Sequence, residues 1–257
     1  MLTVTILGSG NVATHFFKAF FASKKVEVVQ WYSRNIETIQ CFSDQTLITN
    51  SLQNLKEVDL YIIAISDDAI ASFSKKLATT NQLVAHCSGS IPLKGLSKKN
   101  RRAILYPVQT FSKEKEVDFK NIPLCLEAES LADMELLKKI AASISTKVFE
   151  VNSEQRKSLH LTAVFVNNFT NHLYQIGQEI CNSQNISFEL LLPLIKETVE
   201  KLETLTPLDA QTGPAKRGDF QTIENHLEAL EESSSAYINI YKTLTSSILK
   251  TYGRKEL

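Results

Sequence analysis

Residues 3–13 read TVTILGSGNVA, an apolar run of strand-forming residues that ends in two closely spaced glycines and continues into a helical pattern. The spacing is G-x-G-x-x-A, which between a strand and a helix is typical of a dinucleotide-binding turn. Gly8 permits the tight turn, Gly10 lets the backbone approach a pyrophosphate, and the small Ala13 lets the helix pack on the strand. Free N–H groups at the helix N-terminus then face the phosphates. The predicted phosphate-binding residues are Gly8, Ser9, Gly10, Asn11, Val12 and Ala13.

The turn opens an alternation of short apolar runs and longer amphipathic stretches. Strands are predicted at residues 3–7, 26–32, 60–65, 83–86, 104–106, 122–126 and 147–151, with helices between them at 12–23, 35–42, 68–78 and 131–143. This order is typical of a doubly wound, mostly parallel α/β sheet. After residue 151 only helical patterns follow, at 153–181, 187–205, 220–231 and 234–251. We therefore expect a Rossmann domain over residues 1–151 and an all-α domain, for substrate binding and dimerisation, over 152–257.

Composition excludes several classes of protein. The 257 residues carry 28 basic and 28 acidic side chains, whereas proteins that bind nucleic acid or anionic membranes are normally basic. Residues 1–150 hold 18 basic and 15 acidic side chains, so this half is the expected anion binder. The four cysteines form no CxxC pair, so we expect no metal site and the reduced thiols of a cytoplasmic protein. Neither a secretory signal nor a membrane-spanning stretch is recognisable.

The end of the second predicted strand bears on the choice of cofactor. Residues 31–35 read WYSRN, without the carboxylate that NAD-binding proteins place there on the ribose diol. Ser33 and Arg34 can instead hydrogen-bond and neutralise a 2′-phosphate. The sequence therefore predicts NADP(H) as the cofactor.

Polar residues also follow the later strands, at the edge of a parallel sheet where ligands bind. Asp68 is expected to cap its own helix. The residues expected to contact the cofactor here are Ile65, Ser66, His86 and Ser88, and Gln109 is expected to contact the substrate.

Taken together, these motifs resemble those of a known family. The stretches GSGNVA, WYSRN, IIAISDDAI, HCSGSIPL, YPVQTF, EQRKSLHLTAVFVNN and TGPAKRGDFQTIENH are similar to those of Rossmann-like proteins that are described as NADP oxidoreductases and end in a domain of unknown function, DUF2520. The resemblance implies a two-domain organisation like that of 6-phosphogluconate dehydrogenase, with NADP as cofactor. Tyr106 departs from the family's usual histidine in His-Pro-x-Gln-Thr-Phe. A role that needs an imidazole there is in doubt, although a phenol can still donate a hydrogen bond.

The helical half supplies the candidate catalytic residues. His160 and Asn168 match the His…Asn helix motif of that family. On an α-helix they stand roughly 12 Å apart, so they would touch two parts of one ligand. We expect His160 to donate the proton that accompanies hydride transfer and Asn168 to orient the acceptor; interhelical hydrogen bonding is the alternative. Arg217 and His226 are expected to bind an anionic substrate, or else to form a domain or dimer contact.

The sequence thus predicts an NADP(H)-dependent oxidoreductase that reduces a small carbonyl, imine or keto acid at its domain interface, as a cytoplasmic homodimer. Two alternatives stay open. A non-catalytic NADP-binding sensor or scaffold fits the broken catalytic pattern at Lys157, where related hydroxyacid dehydrogenases have asparagine four residues later and this chain has Leu161. A prephenate-type dehydrogenase fits the polar strand ends, but Tyr106 replaces the histidine.

Overall fold

The computed structural model describes residues 1–113 and 115–255. Its strands are β1 (Leu2–Leu7), β2 (Val26–Tyr32), β3 (Leu47–Thr49), β4 (Leu60–Ile63), β5 (Leu83–His86), β6 (Arg101–Pro107), β7 (Leu124–Ala128) and β8 (Val148–Glu150). Within the described residues they form one sheet in the order β3-β2-β1-β4-β5-β6-β7-β8. The strands pair in parallel, apart from antiparallel β6 and β7. This confirms the predicted doubly wound α/β fold, in which the strand order reverses at β1.

Helices cover both faces of this sheet. They are α1 (Asn11–Ser23), α2 (Asp67–Lys76) and α3 (Leu131–Ala142). Every residue of β4 and β5 is buried, as expected for strands covered on both sides. The helix α1 buries Phe16, Phe17 and Phe20, and the Phe17 ring stacks on Trp31 of β2 at a centroid distance of 4.7 Å. This packing holds the glycine turn before α1 against the sheet.

Three local features differ from the sequence-based expectation. The sequence does not predict β3, because three residues are too few to show a strand period. Residues 35–42 form a 3₁₀ helix at Ile36–Phe42 instead of an α-helix. Asp68, expected as a helix cap, lies in the first turn of α2, and Ser66 is the N-cap residue. None of these differences changes the order of the parallel strands around β1.

The chain divides into two compact units, and the first is Met1–Val164. The sequence places the boundary earlier, at residue 151, where the strands end. The helix α4 (Ser153–Ala163) belongs to the first unit because Arg156 is fully buried in an ion pair with Glu127. Asn152 caps α4 in a reciprocal capping box with Gln155. The anchored helix moves the boundary into the helical region.

The second unit begins at Phe165 and is helical. After a π-helical stretch at Val164–Phe169, its helices are α5 (Thr170–Ser183), α6 (Leu192–Glu200), α7 (Pro207–Ala210), α8 (Pro214–Arg217), α9 (Phe220–Ser233) and α10 (Ile238–Thr251). Ile176, Ile223 and Leu249 are buried, while many other large apolar side chains are exposed. Over residues 1–113 and 115–255, no helix has the length and apolar character needed to cross a membrane.

Candidate functional site

The turn between β1 and α1 requires glycine at position 8. Gly8 has a φ of +127°, and a Cβ atom there would lie 2.2 Å from the carbonyl oxygen of Ala64. The Gly8 N–H donates to the carbonyl of Tyr32 at 2.9 Å, and the indole N–H of Trp31 donates to the Gly8 carbonyl at 2.6 Å. These contacts fix the turn between the ends of β2 and β4, at the point where the strand order of the sheet reverses.

Gly10 has a different role, because its conformation is ordinary and the space beside it is open. Its φ is −77°, and a Cβ atom there would meet nothing within 4 Å. Gly10 is also the N-cap residue of α1, and no side chain caps the helix. The first N–H groups of a 13-residue helix therefore point toward open space, an arrangement that suits a phosphate group.

A cleft of about 950 Å³ runs along this turn and the ends of the neighbouring strands. Among the predicted cofactor contacts, its lining includes Gly8, Ser9, Gly10, Asn11, Val12, Ser33, Arg34, Ile65, Ser66 and Ser88. Gln109, predicted to contact the substrate, lines it as well. Two predicted contacts are not lining residues: Ala13 is on the buried face of α1, and His86 is buried at the end of β5. Ala13 keeps the packing role that its small side chain suggested.

At the β2 end of the cleft, Ser33 and Arg34 differ in availability. Ser33 is 2% exposed, and its hydroxyl donates to the carbonyl of Asn35 at 2.7 Å and lies 3.0 Å from the Ser9 hydroxyl. Its single proton is therefore committed to the turn. Arg34 is exposed and lines the cleft. Lys76, at the end of α2, also lines it, and the sequence reasoning missed this cation because it lies 42 positions beyond Arg34 in the chain.

The side chain of Asn11 braces the loop after β6. Its amide donates to the carbonyl of Phe111 at 2.8 Å, and His15, one turn later on α1, lies 2.8 Å from the carbonyl of Ser112. The loop that carries Gln109 is thus tied to the first turn of α1. Sequence reasoning assigned Asn11 to the cofactor and missed this contact, which spans 100 positions.

His86 supports the site from behind rather than lining it. Burial, and secondarily the nearby Arg156 guanidinium, lower the pKa of His86 to about 4, so the imidazole is neutral at pH 7. Its Nδ1 accepts the N–H of Ser88 at 3.1 Å. Ser88 in turn accepts the N–H of Ile91 at 3.0 Å. His86 thus shapes the turn that presents Ser88.

Beside this turn, Ser90 donates to the carboxylate of Asp67 at 2.6 Å, and Asp67 lines the cleft. The sequence reasoning passed over Asp67, although it sits directly after a strand end. Asp67 thus connects the N-terminus of α2 to the turn after β5 and places a carboxylate in this part of the cleft. Across the described residues, no three His, Cys, Asp or Glu side chains are grouped to hold a metal ion.

His160 lies beside Tyr106, the residue that departs from the family pattern. The Tyr106 hydroxyl is 3.3 Å from Nδ1 of His160. Gly89 makes room for both rings, since a Cβ there would lie 2.6 Å from His160 Nδ1 and 2.8 Å from Tyr106 Cζ. Burial is the main cause that raises the pKa of Tyr106, so this phenol is protonated at pH 7. The first unit therefore contains a Tyr–His pair.

The other candidates belong to the second unit. Asn168 is exposed in the π-helical stretch, where the wider turn changes the angular relation that an α-helix would give it. Arg217 is exposed and lies 3.7 Å from the carboxylate of Asp219, which caps α9. Nδ1 of His226 lies 2.8 Å from the hydroxyl of Tyr241. Their roles toward a ligand stay predictions.

Comparison with known proteins gives a family match and full-length structural matches. The model of the domain of unknown function DUF2520 matches residues 122–248. The structure of a Bacteroides fragilis protein, described as a candidate NADP oxidoreductase, is 39% identical, covers 97% of this chain and 98% of its own, and has a TM-score of 0.88. A Thermotoga maritima protein is 25% identical over 96% of this chain and 99% of its own, with a TM-score of 0.77.

More distant structures share the fold. A reductive aminase from Aspergillus terreus, solved with NADPH and ethyl levulinate, is 15% identical over 97% of this chain and 94% of its own, with a TM-score of 0.71. Curated proteins include no significant match to this sequence. The similarity at 39% identity extends over nearly the full length of both chains.

Proposed function

The chain belongs to the family of Rossmann-like two-domain proteins that carry DUF2520, and from this premise we propose that it is an NADP(H)-dependent oxidoreductase that reduces a small carbonyl, imine or keto acid. The observation that carries the proposal is the cleft at the β1–α1 turn, where Gly10 leaves open space before an uncapped helix N-terminus. Such a turn fits a pyrophosphate. NADPH, when bound, supplies a hydride.

The charge at the β2 end of the cleft favours NADP(H) over NAD(H). Residues 31–35 contain no carboxylate, and Arg34 and Lys76 both line the cleft. Cations that line the cleft favour an anionic group such as a 2′-phosphate, and an arginine can also bind a phosphate through two parallel hydrogen bonds. The Bacteroides fragilis relative is described with the same cofactor. Ser33 takes part as a turn-former rather than as a phosphate donor.

We assign the proton-transfer step to His160. Reduction of a carbonyl or imine needs a proton at the heteroatom when hydride reaches carbon, and an imidazolium, which becomes a neutral imidazole as it gives up the proton, is a good donor near neutral pH. His160 lies on α4, which the buried Arg156 anchors to the first unit. Asn168 would orient the acceptor, and Gln109, Arg217 and His226 would contact the substrate. These roles rest on residue chemistry and on the family's helix motif.

The second unit supports the proposal that the protein acts as a homodimer. Leu190 and Leu194 are 72% and 63% exposed, although both are large apolar side chains. Extended exposed apolar surface usually marks an interface. We expect light scattering to give about twice the monomer mass of 28.8 kDa. The double variant Leu190→Glu/Leu194→Glu should be monomeric, and a monomeric wild-type protein would contradict the proposal.

The test of the cofactor is a binding titration with NADPH and NADH. Arg34→Ala and Lys76→Ala should each weaken NADPH binding by roughly tenfold, the equivalent of one exposed ion pair with a phosphate, and leave NADH binding unchanged. Lys75→Ala is the matched control, because Lys75 neighbours Lys76 on the same helix and is not a lining residue. Equal losses for both nucleotides would refute the 2′-phosphate assignment.

The test of catalysis follows NADPH oxidation at 340 nm with 1-pyrroline, cyclohexanone and pyruvate as probes. His160→Gln should abolish turnover and leave NADPH binding intact. Tight NADPH binding without turnover of any probe would favour the sensor alternative. Failure of NADPH to bind would remove the oxidoreductase proposal itself.

A further inference from the structure

The Tyr106–His160 pair of the first unit suggests a role for Tyr106. We propose that Tyr106 is a positioning residue that holds neutral His160 in the tautomer with its proton on Nε2, so that the resting imidazole offers Nε2–H to the substrate as a hydrogen-bond donor that orients and polarises the acceptor. The inference rests on the proposed function, because it concerns the resting state of the same residue; the proton itself is transferred from the imidazolium form, which carries a proton on both ring nitrogens. It also assigns a role to the position where this chain departs from the family's usual histidine.

The hydrogen bond between the two side chains runs from the Tyr106 phenol to the His160 imidazole. The Tyr106 side chain is buried to 9% exposure, and a buried phenol proton needs an acceptor. Nδ1 of His160, 3.3 Å away, provides one. Since burial raises the pKa of Tyr106, the phenol keeps its proton and donates it. A neutral imidazole that accepts at Nδ1 must carry its own proton on Nε2.

Both side chains come from rigid elements. Tyr106 is in the central part of the sheet, on β6 between β5 and β7. His160 follows Arg156 by one helical turn, and Arg156 is fully buried, paired with Glu127 and donating to the carbonyl of Ile91 at 2.6 Å. Ser153 adds a hydrogen bond to the same Glu127 at 2.9 Å. These contacts fix the backbone of α4 in the turns that precede His160.

The two rings are closely packed against each other and against the backbone of Gly89. The rings lie edge to face, at an interplanar angle of 71° and a centroid distance of 6.2 Å. Gly89 contacts both rings so closely that any side chain would overlap them. Its neighbour Ser88 lines the cleft, and so does Gln109, three positions after Tyr106. Neither ring is a lining residue, and the pair is connected to the cleft through these chain neighbours.

The experiment measures the tautomer directly, by long-range ¹H–¹⁵N correlation on the full-length protein at a pH where the histidines are neutral. His160→Gln assigns the His160 signals. In the wild-type protein we expect a protonated Nε2 and a bare Nδ1. In Tyr106→Phe, which keeps the ring and removes the hydroxyl, the tautomer ratio should move toward Nδ1–H by roughly 2- to 13-fold, the equilibrium equivalent of one net hydrogen bond.

The chain contains a matched control, since His226 and Tyr241 form the same kind of contact at 2.8 Å. Tyr241→Phe should leave the His160 tautomer unchanged, and Tyr106→Phe should leave that of His226 unchanged. A wild-type proton on Nδ1 of His160, or an identical tautomer ratio in Tyr106→Phe, would overturn the inference. The NADPH titration fails or succeeds independently of this readout, so a loss of the proposed function is distinguishable from a loss of the positioning role.

Discussion

The two glycines of the β1–α1 turn should respond to alanine in opposite ways. At Gly10, φ is −77° and the added methyl meets no protein atom within 4 Å. Gly10→Ala should therefore fold normally, because the gain of about 0.4–1 kcal/mol from a less flexible unfolded chain is offset by roughly 0.5 kcal/mol for a poorer N-cap. The methyl would occupy the space through which we expect the pyrophosphate to pass.

At Gly8 the same change meets the protein itself. The φ of +127° is strained for alanine, and its Cβ would lie 2.2 Å from the carbonyl oxygen of Ala64. Backbone strain of about 1–3 kcal/mol and overpacking of about 1–3 kcal/mol add to a destabilisation of roughly 2–6 kcal/mol. For a chain of this size, that lowers the Tm by about 5–20 °C.

The assay combines thermal unfolding with NADPH titration of both variants. Gly10→Ala should keep its Tm within about 2 °C and lose NADPH affinity by at least roughly 100-fold, or about 2.7 kcal/mol. Gly8→Ala should lose stability first. A folded Gly10→Ala protein with wild-type NADPH affinity would refute the path of the pyrophosphate, and an unchanged Tm for Gly8→Ala would refute the turn geometry.

Three further predictions concern buried polar groups of the first unit. The pKa of His86 falls from 6.5 in the unfolded chain to about 4 in the folded protein, so the stability that depends on a neutral His86 is complete above pH 6.5. It is lost as the pH falls from 6.5 to about 4, by about 1.4 kcal/mol per pH unit. Urea unfolding of His86→Asn across this pH range should lack that slope, and an unchanged slope would contradict the prediction. Arg156→Met leaves the Glu127 carboxylate without its ion-pair partner and should lower the free energy of unfolding, measured in urea, by about 3–5 kcal/mol. The double variant Arg156→Met/Glu127→Leu should recover part of this stability, and equal losses in the two variants would mean that the ion pair is not the cause. Trp31→Phe removes the N–H that donates to the Gly8 carbonyl, so thermal unfolding should show a loss of roughly 1–3 kcal/mol of stability, and NADPH binding should weaken. A variant as stable as the wild type would show that this hydrogen bond does not hold the turn.

The sheet and the phosphate-binding turn are readable from the sequence because their signals are local. A run such as residues 60–63 is apolar at every position and is buried at every position, since a parallel strand is covered on both faces. The glycine turn is recognisable in the sequence as well, because the backbone freedom at Gly8 is a property of that residue alone. Edge strand β3 is missed, since three residues and partial exposure leave almost no pattern.

The polar architecture of the site depends on contacts that no local pattern contains. Arg156 is charged and would be expected in solvent, yet it is fully buried because Glu127, 29 positions away, pairs with it. Tyr106 meets His160 across 54 positions, and Asn11 reaches the loop after β6 across 100. Periodicity indicates which apolar side chains of the sheet turn inward. Which two polar groups then share a hydrogen bond follows only from the packing of distant strands and helices, because a buried donor takes whichever acceptor the fold places beside it.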